Sequence, residues 1–174
     1  ANLGVPKHSE MESAAVIAYL MGGSSTAKVI SQAARLFYVI PLARVDAMDI
    51  QALEGMMHEG VVGLIDTVSV KRRQGVFGEC DAFVSHSHAD DADAKLAAIQ
   101  ELDQDLLGED KTIWLDTACM IRGEIDESLR CLPVFVSGCK NLAVLIGPTY
   151  YRRLWCILEV FTFVQLGGTR GRII

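Results

Sequence analysis

Two stretches of this sequence carry side chains that could do chemistry. In Leu154-Trp155-Cys156-Ile157-Leu158-Glu159 a single carboxylate stands in an otherwise apolar and aromatic run. Trp155 precedes Glu159 by four residues, so on a helix the indole and the carboxylate share a face. A charge placed there must lie at a helix edge, be paired, or sit in a pocket, because burying it alone is costly. The second stretch, Cys80-Asp81-Ala82-Phe83-Val84-Ser85-His86-Ser87-His88, reads as a strand running into a polar loop. Open α/β sheets bind ligands outside the carboxyl ends of their strands. A polar loop at such an end, beside a helix with one carboxylate, is therefore a candidate site. Plainer roles compete with it: Trp155 as core, Glu159 as an ion-pair partner of Arg152 or Arg153, and His86 and His88 as solvated or capping residues. Ser85, His86 and Asp90 do not make a hydrolase triad, since they are neighbours in sequence and lack a Gly-x-Ser-x-Gly elbow.

The elements that must position these residues follow from the spacing of apolar side chains. Residues 9–21 fit a helix opened by a capping box, Ser9 with Glu12, and broken by Gly22-Gly23. Residues 26–40 resume helical spacing, with Pro41 as its end. Asp46 or Asp49 could cap a third helix through Met57, with Gly60 as its stop, and residues 61–70 are ambiguous between strand and helix. The first 75 residues thus read as an α-helical segment, and Gly75 and Gly78 mark a boundary. From Asp81 the rhythm changes. A short buried strand (82–84) precedes a helix capped by Asp90 or Asp91 through about Leu107. A second strand (112–115) leads into a polar loop, Asp116 to Gly123. An element from Ile125 to Val136, interrupted by Pro133, precedes a third strand (142–146). Tyr150 to Leu166 is a helix, and Arg172-Ile173-Ile174 begins a fourth strand. Alternating strands and helices imply a parallel sheet with helices on its faces. Right-handed crossovers then give the flavodoxin-like order 2-1-3-4, which sets loops 85–91 and 116–124 side by side.

Composition narrows the function. The chain has 174 residues, half of them hydrophobic, enough for one domain or a domain with an appendage. Its net charge of −6 lies wholly in residues 79–174. An acidic second half argues against a nucleic-acid partner, and Lys71-Arg72-Arg73 reads as a solvated linker rather than a nucleic-acid or lipid patch. The five cysteines are odd in number and contain no Cys-x-x-Cys. They read as reduced, partly buried thiols of a cytoplasmic protein. Cys119, Cys131, Cys139 and the two loop histidines lack a recognised ligand spacing, so no metal or cofactor is assigned. No apolar run is long enough for a spanning helix, and no signal-peptide pattern opens the chain. The first residue is Ala, which suits a processed or excised part of something longer.

Three motifs resemble one known family. Asp81-Ala82-Phe83-Val84-Ser85-His86-Ser87 resembles the first sequence box of Toll/interleukin receptor (TIR) domains. Asp116 through Arg122-Gly123-Glu124-Ile125 resembles the second box, the loop after the second strand. Leu154 to Glu159 resembles the Trp-x-x-x-Glu segment of TIR domains that cleave NAD. The resemblance covers residues 79–174 and is nearest to TIR-like domains of microbial eukaryotes. It implies a TIR-like α/β domain behind the 1–75 segment, incomplete because a TIR domain has five strands and this chain stops at the start of the fourth. It also implies signalling or assembly by association with other TIR domains or a larger protein assembly. Where activity carries over, the chain is an NAD glycohydrolase, with NAD as substrate. Glu159 is then the catalytic carboxylate and Trp155 an apolar wall. Ser85, His86 and Ser87 line the ribose–phosphate side, and Arg122 faces phosphate or adenine. Arg122, Gly123 and Glu124 form the interaction loop, or only a turn that caps the next helix. His86 and His88 depart from the aromatic, basic or small polar residues of many active members. A structural subunit of a larger complex, without catalysis, is the alternative.

Overall fold

The computed structural model of the chain describes residues 12–18, 25–56, 71–102 and 110–174. The expected cap at Ser9, the break at Gly22-Gly23, the run 61–70 with Gly60, and the end of the 92–107 helix lie outside them.

A mixed, open five-stranded sheet organises the molecule. Its strands are β1 (Tyr38–Pro41), β2 (Arg73–Gln74), β3 (Cys80–His86), β4 (Thr112–Trp114) and β5 (Cys139–Leu145), in the order β2-β1-β4-β3-β5. β3 lies in the sheet's interior between β4 and β5, and all seven of its residues are buried, as expected of a strand with both faces covered. It pairs in parallel with β4, Phe83 opposite Trp114, and with β5, Cys80 opposite Cys139 through His86 opposite Leu145. Beyond β5, Ile173 bridges Leu142 in parallel, and Ile174 exchanges backbone hydrogen bonds with Leu142 and Val144. From residue 80 onward the order is therefore the 2-1-3 of the sequence reading, with the last residues beginning a fourth position.

The other edge differs from expectation. The helix of residues 26–40 stops early: α1 spans Thr26–Leu36, and Tyr38–Pro41 is strand β1, antiparallel to β4 through Ile40 opposite Ile113. Tyr38-Val39-Ile40 is aromatic and β-branched, and the residue before a proline is disfavoured in the α region. β2 adds antiparallel to β1. The first 75 residues are thus not helical throughout: they extend the sheet and share its core through Val29, Leu36, Phe37, Val39 and Ile40.

Residues 12–18 are helical as well, and further α-helices are α2 (Ala47–Met56), α3 (Ala92–Glu101), α4 (Asp116–Cys119), α5 (Ile125–Ser137) and α6 (Leu154–Gln165). Asp91 caps α3, its carboxylate accepting from the Ala94 amide at 2.8 Å. α5 runs straight through Pro133, where an interruption was expected. A proline inside a helix costs roughly 3 kcal/mol, and the unbroken burial of residues 131–137 offsets it. α1 packs on α5, and α6 packs on both α5 and β3. At the core, Phe83 and Trp114 stack with centroids 4.6 Å apart, and Phe135 leans on the indole at 5.4 Å. Gly167, at φ 85°, ends α6 in the left-handed conformation that glycine adopts without a Cβ penalty. Among the described residues, no helix is long and apolar enough to cross a membrane.

Candidate functional site

Because β3 and β4 are parallel and adjacent, their carboxyl ends open side by side. The residues leaving them, 85–90 and 116–120, meet there with the start of α6 and the turn before it. Side chains alternate along a strand, and this separates Ser85 from His86, so that two clusters form.

The first cluster is Ser85, Tyr150 and Glu159. Ser85 Oγ donates to Glu159 Oε2 at 2.5 Å and lies 2.7 Å from the Tyr150 hydroxyl. Ser85 is fully buried, Tyr150 is 1% exposed and Glu159 9%. Glu159 lies with Cys156, Thr162 and Phe163 on the inward side of α6. Its ion pair with Arg152 or Arg153 does not form: among the described residues it has no cationic partner, and both arginines are exposed. Burial raises its pKa to about 8, helped by the charge of Asp116 and opposed by the Ser85 hydrogen bond. The carboxyl is thus mostly neutral at pH 7. Burial likewise raises the Tyr150 phenol and brings the Cys156 thiol to about 11.

The second cluster joins the two histidines through a residue that the sequence reading did not single out. His86 Nε2 lies 2.8 Å from one oxygen of Asp116, and His88 Nε2 lies 2.6 Å from the other. Burial alone would raise the Asp116 pKa, but the two imidazoles outweigh it and hold the carboxyl far below the usual range. The Asp116 hydrogen bond raises His88. His86 is buried and His88 is partly exposed to solvent, and both bond a carboxylate rather than a backbone group. They are arms of one three-residue cluster.

The loop between the clusters is fixed by its own contacts. Ser87 Oγ meets Thr149 Oγ1 at 2.6 Å, and Asp90 accepts from the Thr149 amide at 2.9 Å and its hydroxyl at 2.8 Å. The buried Lys95 ammonium donates to the Ser87 and His88 carbonyls. The Cys156 thiol lies 3.3 Å from the His86 carbonyl. A Cβ on Gly147 would stand 2.3 Å from Asp90 Oδ2, so this turn approaches the loop as only glycine allows.

The other expected site residues are placed less centrally. Trp155, one turn before Glu159 on α6, is 41% exposed at the edge of the helix face that buries Glu159. Arg122-Gly123-Glu124 forms a 3-10 turn leading into α5. The Glu124 carboxylate receives both terminal nitrogens of Arg35 on α1, so this part of the loop is tied to its own chain. The Arg122 side chain lies outside the described residues. Tyr150, Asp116 and Thr149 are the members missed. Only Asp116 carried a sequence signal, being the first polar residue after a buried strand.

Comparison of the chain with models of known protein families, with curated proteins and with solved structures finds no match.

Proposed function

We propose that this chain is a TIR-like signalling and assembly module of flavodoxin-like order, and that its Glu159 site cleaves the nicotinamide–ribose bond of NAD when copies associate. The observation that carries this reading is the Glu159 carboxyl itself. It is buried at the carboxyl end of β3, held by the Ser85 hydroxyl and unpaired with any cation among the described residues. A carboxyl whose pKa is shifted this far by burial at a strand's carboxyl end is of the kind that clusters at functional sites.

The chemistry needs a carboxylate at this position. As the ribose–nitrogen bond breaks, its electron pair leaves with nicotinamide and positive charge builds on the ribose ring. An ionised Glu159 opposes that charge, in the manner of glycoside hydrolysis. Water then adds to the ribosyl carbon and gives up a proton. No oxidation or reduction occurs. With a pKa of about 8 the empty site is mostly protonated at pH 7, and a cationic nicotinamide ring placed beside it favours the charged form. Ser85 then orients the carboxylate, His86 and Ser87 serve the ribose–phosphate side, Arg122 faces phosphate or adenine, and Trp155 is an apolar wall supplied at an association surface. Nicotinamide release by concentrated wild-type protein beside Glu159→Gln tests the reading. Release that the variant abolishes supports it, and no release from associated, folded wild type rejects it.

One observation favours a second reading, association without catalysis. Leu154, Ile157, Phe161 and Val164 of α6 are 80%, 43%, 56% and 47% exposed. An apolar row of this kind marks an interaction surface. Under this reading Phe161→Asp abolishes association measured by sedimentation, while wild type releases no nicotinamide at any concentration.

A further inference from the structure

We propose that His86, His88 and Asp116 form a binding site for a divalent transition-metal ion of the zinc class. The proposal does not depend on NAD cleavage. Two imidazole nitrogens and a carboxylate oxygen all lie within 4.8 Å of one another. This is the borderline nitrogen–oxygen donor set that zinc, cobalt and their neighbours take, and three protein ligands leave a position for water or substrate.

The topology builds the set. His86 ends β3 and His88 follows two residues later. Asp116 opens α4 two residues beyond Trp114, whose register partner is Phe83. The backbone that carries the ligands is held independently of them. The Lys95 ammonium fixes the Ser87 and His88 carbonyls, and the Cys156 thiol holds the His86 carbonyl. The Thr117 amide donates to the Asp116 carboxylate at 2.7 Å. Of these, only the Thr117 contact acts on a ligating group itself, as outer-shell contacts do; the others hold the backbone that carries the histidines. His86 Nδ1 is buried without a partner among the described residues, so no second hydrogen bond fixes its proton on Nε2.

Charge and access agree with a cation. Among the described residues no Lys or Arg forms an ion pair with Asp116. Lys95 and Arg153, the cations that act on His88, are engaged with loop carbonyls and exposed, respectively. The His86 side chain is 2% exposed, Asp116 18% and His88 39%, so the site is lined on one side and open on the other. Ligand atoms about a tetrahedral ion stand about 3.3 Å apart. The present separations of 2.8 and 2.6 Å, which run to different oxygens of Asp116, would open by roughly 0.5–0.7 Å, and pairs of the set now as far as 4.8 Å apart would close by up to about 1.5 Å, shifts made by side-chain rotation of the half-buried His88 and of Asp116 on its four-residue helix.

The test is titration of chelator-treated full chain with Co2+ alone, read by its visible absorption, followed by displacement with Zn2+. One Co2+ binds per chain, with bands of low-symmetry coordination that Zn2+ removes. His88→Ala and Asp116→Asn each weaken binding by at least about tenfold. The partly exposed His88 keeps its variant folded, which far-ultraviolet circular dichroism checks. A featureless spectrum from folded wild type at millimolar Co2+ overturns the proposal, as does unchanged affinity in both variants.

Discussion

Replacing Glu159 by Gln isolates the central claim about the site, that its carboxyl is neutral in the folded protein. The unfolded chain holds this group near pKa 4.5, and the folded chain raises it to about 8. Folding therefore favours the protonated form. The sign follows: wild type is least penalised below pH 4.5, and it loses stability as pH rises from there to 8. Each pH unit in that window costs about 1.4 kcal/mol. The penalty is thus about 3 kcal/mol at pH 7 and about 5 kcal/mol above pH 8. With Glu159 only 9% exposed, solvent screening does little to reduce these figures. Gln cannot ionise, and its amide oxygen still accepts from Ser85 while its NH2 replaces the acid proton as donor. The variant is therefore more stable than wild type at pH 7 by about 3 kcal/mol, although it lacks the charge that catalysis needs. Urea unfolding of both proteins from pH 4.5 to 9 measures the difference. A difference that stays flat across this range would refute the reasoning, because it would mean that Glu159 holds the same charge folded and unfolded.

Three other substitutions probe the frame around the site. Phe83→Ala removes a fully buried ring stacked on Trp114 and costs about 3–5 kcal/mol in urea unfolding. Phe161→Ala, on the exposed row of α6, changes the stability of dilute protein by less than about 0.5 kcal/mol. Asp91→Ala removes the cap of α3 and lowers stability by about 1 kcal/mol, with the largest loss of amide protection in the first turn of that helix.

What was legible in the sequence was whatever rests on local pattern. Ala82-Phe83-Val84 is apolar enough to declare a short buried strand, which extends to Cys80–His86 in the fold, and the alternation after it gave the parallel order of β4, β3 and β5. The Asp90-Asp91 pair declared a helix start, and Asp91 is the one that caps it. Legibility failed where tertiary contacts outweigh local preference. Residues 38–41 keep helical spacing in sequence, but β4 offers a free edge and Pro41 disfavours the helix before it. Pro133 should break α5, yet the burial around it holds the helix. The site shows the same division. Glu159 stood out because a carboxylate in an apolar run needs an explanation. Tyr150 and Asp116 did not, because their importance lies in partners 65 and 30 positions away, Ser85 and His86. Trp155 shows how far a spacing alone reaches. A spacing of four places two residues on one side of a helix, but the buried arc of α6 runs through Cys156 and Glu159 and leaves Trp155 at its margin.

The two carboxyls of the site hold different charge states, and that of Glu159 depends in part on Asp116. Asp116 is kept ionised by two imidazoles, whereas Glu159 is kept neutral by burial together with the Asp116 charge. Neighbouring titratable groups pushed apart in this way are the mark of divided acid–base roles. The dependence can be measured. Asp116→Asn removes the negative charge that disfavours ionised Glu159, so the Glu159 pKa falls from about 8 while burial still keeps it above 4.5. In the pH series of Glu159→Gln measured against its parent, made in the Asp116→Asn background, the rise in stability difference ends at a lower pH. The plateau above it shrinks in proportion, by about 1.4 kcal/mol for each unit the pKa falls. Nicotinamide release would shift toward lower pH by the same interval. An unchanged plateau would mean that burial alone sets the state of Glu159 and that the two clusters act independently. A larger plateau would reverse the sign of their coupling and exclude Asp116 as a source of the neutral carboxyl.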